Sequence, residues 1–226
     1  MDLVDKAIKE GRSTLSEFES KRLLAAYGIP VAREILVADI SEVGRAAAEI
    51  GYPLVLKGCA PDLSHKTERN LVRVDIRTES EASQAFREIV EQMDVPQGAV
   101  LVQEMVSGRR ELMVGLTRDP QFGPCVMFGL GGIFTEVLKD VSFRVAPIER
   151  KDAHDMMTDI RGHRILEGIR GMEPVNRELL ADILVNVGRI GLEIGAVKEI
   201  DINPLIIRKG AAVAVDALVV LSRPAS

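Results

Sequence analysis

Glu199-Ile200-Asp201-Ile202-Asn203-Pro204-Leu205, followed by Val213-Ala214-Val215-Asp216, reads as two strands with a turn at Arg208-Lys209-Gly210. Side chains alternate faces along a strand, so Asp201 and Asn203 share one face. If Lys209-Gly210 closes a two-residue loop, Arg208 pairs with Ala211 and Asn203 falls opposite Asp216. Directly opposed Cβ atoms lie about 4.5–5.5 Å apart. Two hard oxygen ligands and a third carboxylate then meet between apolar neighbours. Mg²⁺ suits such a place, because it takes one or two protein oxygens and completes its octahedron with phosphates and water. The alternative is a polar-faced hairpin that holds no ion.

Working outward, the 226 residues suffice for one large domain or two small lobes, and 46% hydrophobic content is ample for a core. Charged residues make up 28% of the chain, with a net charge of −5 and no dense Lys/Arg tract. Neither a nucleic-acid surface nor an anionic membrane is expected as partner. The N-terminus has no apolar segment of a secretory signal, and the most apolar stretch, 211–221, is broken by Asp216. Cys59 and Cys125 lack metal-like spacing and read as reduced thiols of a cytoplasmic protein.

Helices and strands alternate through both halves. Ser16 and Glu19 suggest a capping box before Leu23, Leu24 and Tyr27, with Gly28 and Pro30 ending the helix. Strands are predicted over 31–37, 53–57 and 72–76, the last with Val72, Val74 and Ile76 on one face. Ser41 and Thr78 are expected to cap helices, the second running to about Met93. Further strands are predicted over 100–105, 111–116, 125–128 and 142–146, and helices over 150–159 and 176–194. The pattern implies an α+β protein of two lobes, 1–102 and 103–226, with the first 15 or so residues able to pack on the second lobe.

Several residues could carry chemistry. Lys57, read as the end of an apolar strand facing a Gly58-Cys59-Ala60-Pro61 turn, can reach a phosphate as a point charge. Gln103-Glu104-Met105-Val106 falls where the lobes would join; its backbone could meet an adenine edge, and Glu104 or Glu111 could accept from ribose hydroxyls. Gly129-Leu130-Gly131-Gly132 could bring backbone N–H groups close to an anion. His65, in a polar loop, has a ring nitrogen that can carry a phosphoryl group covalently. His154 and His163 sit in polar, helical surroundings and are read as surface residues, and Asp119-Pro120-Gln121-Phe122-Gly123-Pro124 as a turn.

Taken in order, these stretches resemble a known family. Leu15-Ser16-Glu17, Glu19-Ser20-Lys21, Tyr27-Gly28-Ile29-Pro30-Val31, Gly51-Tyr52-Pro53-Leu54-Val55-Leu56-Lys57 and Ser64-His65-Lys66-Thr67 carry the first half. Val102-Gln103-Glu104-Met105, Arg118-Asp119-Pro120-Gln121-Phe122-Gly123-Pro124, Phe128-Gly129-Leu130-Gly131-Gly132-Ile133-Phe134, Lys139-Asp140-Val141-Ser142-Phe143-Arg144 and Asp201-Ile202-Asn203-Pro204-Leu205 carry the second. The chain resembles the ATP-grasp (β) subunit of NDP-forming acyl-CoA synthetases, of the ADP-forming acetate–CoA ligase type, and more distantly the succinyl-CoA synthetase β subunit.

That resemblance implies an ATP-grasp fold whose two lobes clasp ATP or ADP. It implies Lys57 on the phosphates, Glu104, Met105 and Val106 as adenine hinge, Glu111 near the ribose, and Asp201 beside the nucleotide. Asn203 and Asp216 match the family's Mg²⁺ ligands, and His65 its second phosphorylated histidine, which receives phosphoryl from a CoA-binding α-type partner subunit and passes it to ADP. The activity implied is acyl-CoA + ADP + phosphate ⇌ acid + CoA + ATP, with the partner required. Two departures stand out: the family's histidine motif runs on to a Gly-Gly where this chain has Asn70-Leu71, and its last strand tends to have Arg after Asp-Ala where this chain has Leu218. Arg69 and Arg73 are the cations that could stand in for the lost backbone donors. The alternative reading is a non-catalytic or regulatory ATP-grasp module with a weakened phosphate loop.

Overall fold

A computed structural model describes residues 2–61, 70–93, 98–132, 140–168 and 171–222 of the chain. They form two compact units, one of residues 16–18 and 32–105, the other of 1–15, 19–31 and 106–226. The division is more interleaved than a break at 102/103, because 19–31 lies with the C-terminal residues.

The smaller unit holds β1 (Glu34–Val37), α3 (Val43–Ile50), β2 (Leu54–Cys59), β3 (Val72–Ile76), α4 (Glu79–Gln92) and β4 (Ala99–Glu104). Its sheet runs β1-β4-β2-β3 and is antiparallel throughout. Val43, Ala46, Ala47 and Ile50 of α3 and Ala82, Ala85, Phe86 and Ile89 of α4 recur at helical spacing, so each helix lays one apolar stripe on the shared core. Thr78 caps α4 by accepting from the Glu81 N–H, as its sequence suggests. Asp39, not Ser41, is the acceptor before α3: its carboxylate takes the Ser41 N–H at 2.8 Å and closes a short 3₁₀ turn.

β3 departs from simple alternation. Asp75 has φ 59°, and the register to β2 shifts by one residue there. The extra residue breaks the period of two, and Val74 stands 65% exposed instead of joining Val72 and Ile76.

The larger unit opens with α1 (Asp2–Lys9) and the bulk of α2 (Glu17–Ala26). It continues with β5 (Glu111–Asp119), β6 (Gly123–Leu130), β7 (Val141–Val145), α5 (Arg150–Asp159), α6 (Arg177–Glu193), β8 (Val197–Arg208), β9 (Ala211–Ala214) and β10 (Ala217–Leu221). The antiparallel sheet runs β10-β8-β5-β6-β7, with β9 also on β8. Leu112, Val114, Leu116, Val126 and Phe128 point one way from β5 and β6 into a core shared with α5 and α6. Asn176 caps α6 by accepting from the Leu179 N–H. The motif around Asp119 is turn chemistry: its carboxylate accepts from the Gln121 and Phe122 N–H groups, and Arg118 donates to the carbonyls of Gly191, Ile194 and Val197 where α6 ends. Among the described residues no helix is long and apolar enough to cross a membrane.

Candidate functional site

The hairpin register is the one its turn predicts. Arg208 pairs with Ala211, Ile207 with Ala212, and Leu205 with Ala214. Lys209 and Gly210 both have positive φ, 49° and 77°, as a two-residue turn of the primed type needs. Glycine takes that conformation freely and lysine at some cost; the Gly210 carbonyl is further held by the Asn176 N–H at 2.8 Å. Beyond Ala214 the second strand breaks at Val215-Asp216 and resumes as β10, where Ala217 pairs with Ile202 and Leu218 with Asp201. The register is the same on both sides of the break, so Asp216 lies level with Asn203. The break is pinned: the Val215 N–H donates to the Pro204 carbonyl at 3.1 Å, and the fully buried Lys21 ammonium donates to the Val215 carbonyl at 3.3 Å.

Asn203-Pro204 is itself a bulge. Leu205 pairs with Leu112 and Ile202 with Val114, so two residues of β8 face Met113 alone. Proline has no N–H for the ladder, and a bulge is how a strand accommodates it. Ile200 and Ile202 go to the core, leaving Glu199, Asp201 and Asn203 on the opposite face. Next to Asp201 on β5 is Gly115, which leaves a depression of about 250 Å³ lined by Met113, Gly115, Thr117, Met127, Phe143 and Asp201.

Negative charge gathers on this face, where Asp201 feels both Asp216 and Glu199. One Asp201 carboxylate oxygen is buried with no hydrogen-bond partner among the described residues. Burial, then the negative charges of Asp216 and Glu199, push the Asp201 carboxyl up to about 6. Among the described residues no three His, Cys, Asp or Glu side chains converge as a closed metal cage. Mg²⁺ held with a nucleotide needs no cage, only one or two protein oxygens, and an orphaned carboxylate oxygen near Asn203 and Asp216 fits that donor set.

Glu111 begins β5 against the glycine turn. The Gly131 N–H donates to the Glu111 carbonyl at 2.8 Å, and a Cβ on Gly132 would stand 2.6 Å from a Glu111 carboxylate oxygen. A Cβ on Gly131 would stand 2.7 Å from the Leu112 carbonyl oxygen, and Gly132 has φ 62°, so both positions suit glycine. The adjacent Arg110, missed in the sequence, is buried and donates to the carbonyls of Ile165, Glu167 and Glu173, fixing the start of β5.

In the smaller unit Lys57 is not a strand-end residue. It is the fourth of six residues in β2, between Val72 and Leu101 on its neighbours, and it is buried. Gly58, taken in the sequence for a turn, continues the ladder by donating to the Leu71 carbonyl at 2.8 Å. The Lys57 ammonium donates to Glu17 at 2.8 Å, a partner that sequence reading missed although both residues lie in the motifs quoted above. Glu104 ends β4 with its carboxylate accepting the Arg33 N–H at 3.0 Å. The Glu104 N–H goes to the Arg33 carbonyl and the Met105 N–H to the Pro53 carbonyl, so a base contact from this segment would use carbonyls or Val106.

Asn70 and Leu71 are ordinary residues of this unit. Asn70 takes the left-handed conformation, φ 55°, and Leu71 is buried in the core. Arg73, the described cation that could stand in for phosphate donors, has its guanidinium held by Glu88 at 2.9 Å and by the Asn70 carbonyl at 2.6 Å. His65 and Arg69 lie outside the described residues.

Comparison with known proteins agrees with this architecture. The ATP-grasp domain family matches residues 6–221. The β subunit of the ADP-forming acetate–CoA ligase I of Pyrococcus furiosus is 46% identical over 225 residues, 97% of each chain. The dinucleotide-forming acetyl-coenzyme A synthetase 1 of Ca. Korarchaeum cryptofilum, in complex with coenzyme A and Ca-AMPCP, superposes with a TM-score of 0.93 at 44% identity, covering 98% of this chain and 99% of that one. Another structure of that protein, with coenzyme A, Mg-AMPPCP and a phosphohistidine segment pointing towards the nucleotide binding site, gives a TM-score of 0.87 at 43% identity over the same shares. The chain belongs to the ATP-grasp family, among the β subunits of ADP-forming acetate–CoA ligases.

Proposed function

We propose that this chain is the nucleotide-binding subunit of an ADP-forming acyl-CoA synthetase, moving a phosphoryl group between a phosphohistidine and ADP. The observation that carries the reading is the β8 face: a buried carboxylate with an orphaned oxygen at Asp201, flanked by Asn203 and by Asp216 in register. A buried carboxylate oxygen without a partner is costly, and a bound cation would offset that cost. Mg²⁺, when bound through Asn203 and Asp216, would offset phosphate charge.

In the proposed roles, Lys57 neutralises phosphate oxygens, the 104–106 segment meets the adenine edge through backbone, and Glu111 lies toward the ribose. Asp201 stands beside the terminal phosphates. His65 carries the phosphoryl group on the strength of its motif and of the phosphohistidine segment in the Korarchaeum relative. In the transfer, the P–N bond to imidazole breaks and a P–O bond to the terminal phosphate oxygen of ADP forms. The nitrogen keeps the electron pair and takes a proton. The first half-reaction, acyl-CoA and phosphate to acid, CoA and a phosphohistidine, requires a CoA-binding partner subunit, as the Pyrococcus relative's designation as a β subunit suggests. An enzyme using CoA and ADP would work in the cytoplasm.

Co-expression with a CoA-binding subunit, followed by assay of acyl-CoA, ADP and phosphate, tests the reading. ATP should form only when both subunits are present. A complex that forms and binds CoA yet makes no ATP from any of a panel of acyl-CoAs would refute it.

A further inference from the structure

The Lys57–Glu17 pair has a consequence for the nucleotide. Both side chains are nearly inaccessible, 6% and 2% exposed, and the ammonium and carboxylate lie 2.8 Å apart. Both belong to the smaller unit, Glu17 as the first residue of α2. A carboxylate is favoured in a helix's first turn, where N–H groups lack partners within the helix, and as the first residue of α2 Glu17 starts from a fixed backbone point.

A buried ion pair is a poor device for stability. The desolvation of two charges roughly cancels their attraction, and apolar residues of the same size commonly serve as well. What an apolar pair cannot supply is an ammonium held at one place. Lysine is a point charge on four flexible bonds, and ordering that side chain costs about 2 kcal/mol of rotamer entropy. Backbone pairing on both edges of β2 fixes where the Lys57 stem starts, and Glu17 fixes where it ends. Lys198 on β8 is exposed, whereas Lys57 is clamped by Glu17 before any phosphate arrives.

We propose that Glu17 is a positioning residue for Lys57, ordering its ammonium in advance for the nucleotide's phosphates. The proposal rests on the reading of Lys57 as a phosphate ligand. The ligand class is therefore a nucleoside diphosphate or triphosphate, and adenosine, lacking phosphates, should be indifferent to Glu17.

The test measures ADP and adenosine binding to the full chain by calorimetry and ligand-observed NMR, for the wild type, Glu17→Gln, Glu17→Asp and Lys57→Met. Glu17→Gln should weaken ADP about tenfold, the loss of one charged hydrogen bond's ordering, and leave adenosine within about twofold. Glu17→Asp keeps the charge but sets it one methylene back, so it should fold as the wild type and bind ADP about threefold more weakly or worse. If Glu17→Asp binds ADP like the wild type, the proposal is overturned whether or not Glu17→Gln folds. Equal losses of ADP and adenosine would mean a merely structural role and overturn it too. Wild-type ADP affinity in Lys57→Met would instead strike the phosphate-ligand reading itself.

Discussion

At the scale of single residues, Asp201 carries a buried carboxylate oxygen with no partner among the described residues. Its carboxyl is raised to about 6 in the folded chain, above its usual value near 4 in the unfolded one. Between those values the folded state holds a proton that the unfolded state has released, so metal-free stability falls as pH rises from 4 to 6. The penalty is complete above the folded value and absent below the unfolded one. Asp201→Asn should therefore raise the metal-free stability at pH 8 by about 1–3 kcal/mol and change little at pH 4. Thermal melts in chelator at the two pH values check this, and an equal gain at both would reject the electrostatic account. Asn203→Ala and Asp216→Ala should act differently. Each should weaken Mg·ADP binding by about tenfold or more, with a smaller effect on ADP in chelator and little on the melting temperature. Calorimetry giving wild-type Mg·ADP affinity in both variants would remove them as metal ligands.

At the scale of elements, legibility followed local chemistry. The Lys209-Gly210 turn determines the β8–β9 register because one two-residue loop leaves one pairing, and the caps of α4 and α6 lie in Thr78 and Asn176 themselves. The break between β9 and β10 was not legible: Val213 to Leu221 is apolar almost throughout, and the interruption at Val215-Asp216 is held from a distance by Lys21 and Pro204. In sequence Lys57 reads as a strand end because Gly58 looks like a turn; the pairing of Gly58 with Val100 and Leu71 makes it ladder. In sequence the Asn70-Leu71 departure reads as a weakened phosphate loop; in the fold Leu71 fills core space against Gly58 and Asn70 takes a left-handed backbone. The two positions should now separate on mutation. Asn70→Gly should leave stability within about 0.5 kcal/mol, whereas Leu71→Gly should cost about 3–5 kcal/mol through the cavity and the added backbone freedom. Urea denaturation of the two variants measures this. If Leu71→Gly is as stable as wild type and tightens ADP, the loss of the glycine pair, not core packing, is what the position records.

At the scale of the whole molecule, the two units hold different parts of the proposed reaction. The larger carries the acidic β8 face and Glu111, and the smaller carries Lys57 with Glu17 and leads through β2 into the segment that holds His65. In the proposed reading every nucleotide and metal residue belongs to this chain, so nucleotide binding should need no partner. No residue of the chain is assigned to acyl-CoA cleavage in that reading, so turnover should need the partner subunit. The isolated chain should thus bind Mg·ADP but form no ATP from acyl-CoA and phosphate. In the complex, His65→Ala should bind ADP as the wild type does, and the partner's histidine should still label from acyl-CoA and radioactive phosphate. The label should not pass to ADP, so ATP formation should fall by at least about a thousandfold, the scale of losing a covalent carrier. Chasing the labelled complex with unlabelled ADP separates the outcomes. Label retained on protein in His65→Ala, and released as ATP in the wild type, is expected of a two-histidine relay. Release at the wild-type rate from the variant would show that the partner's phosphohistidine reaches ADP directly, and would take His65 out of the phosphoryl path.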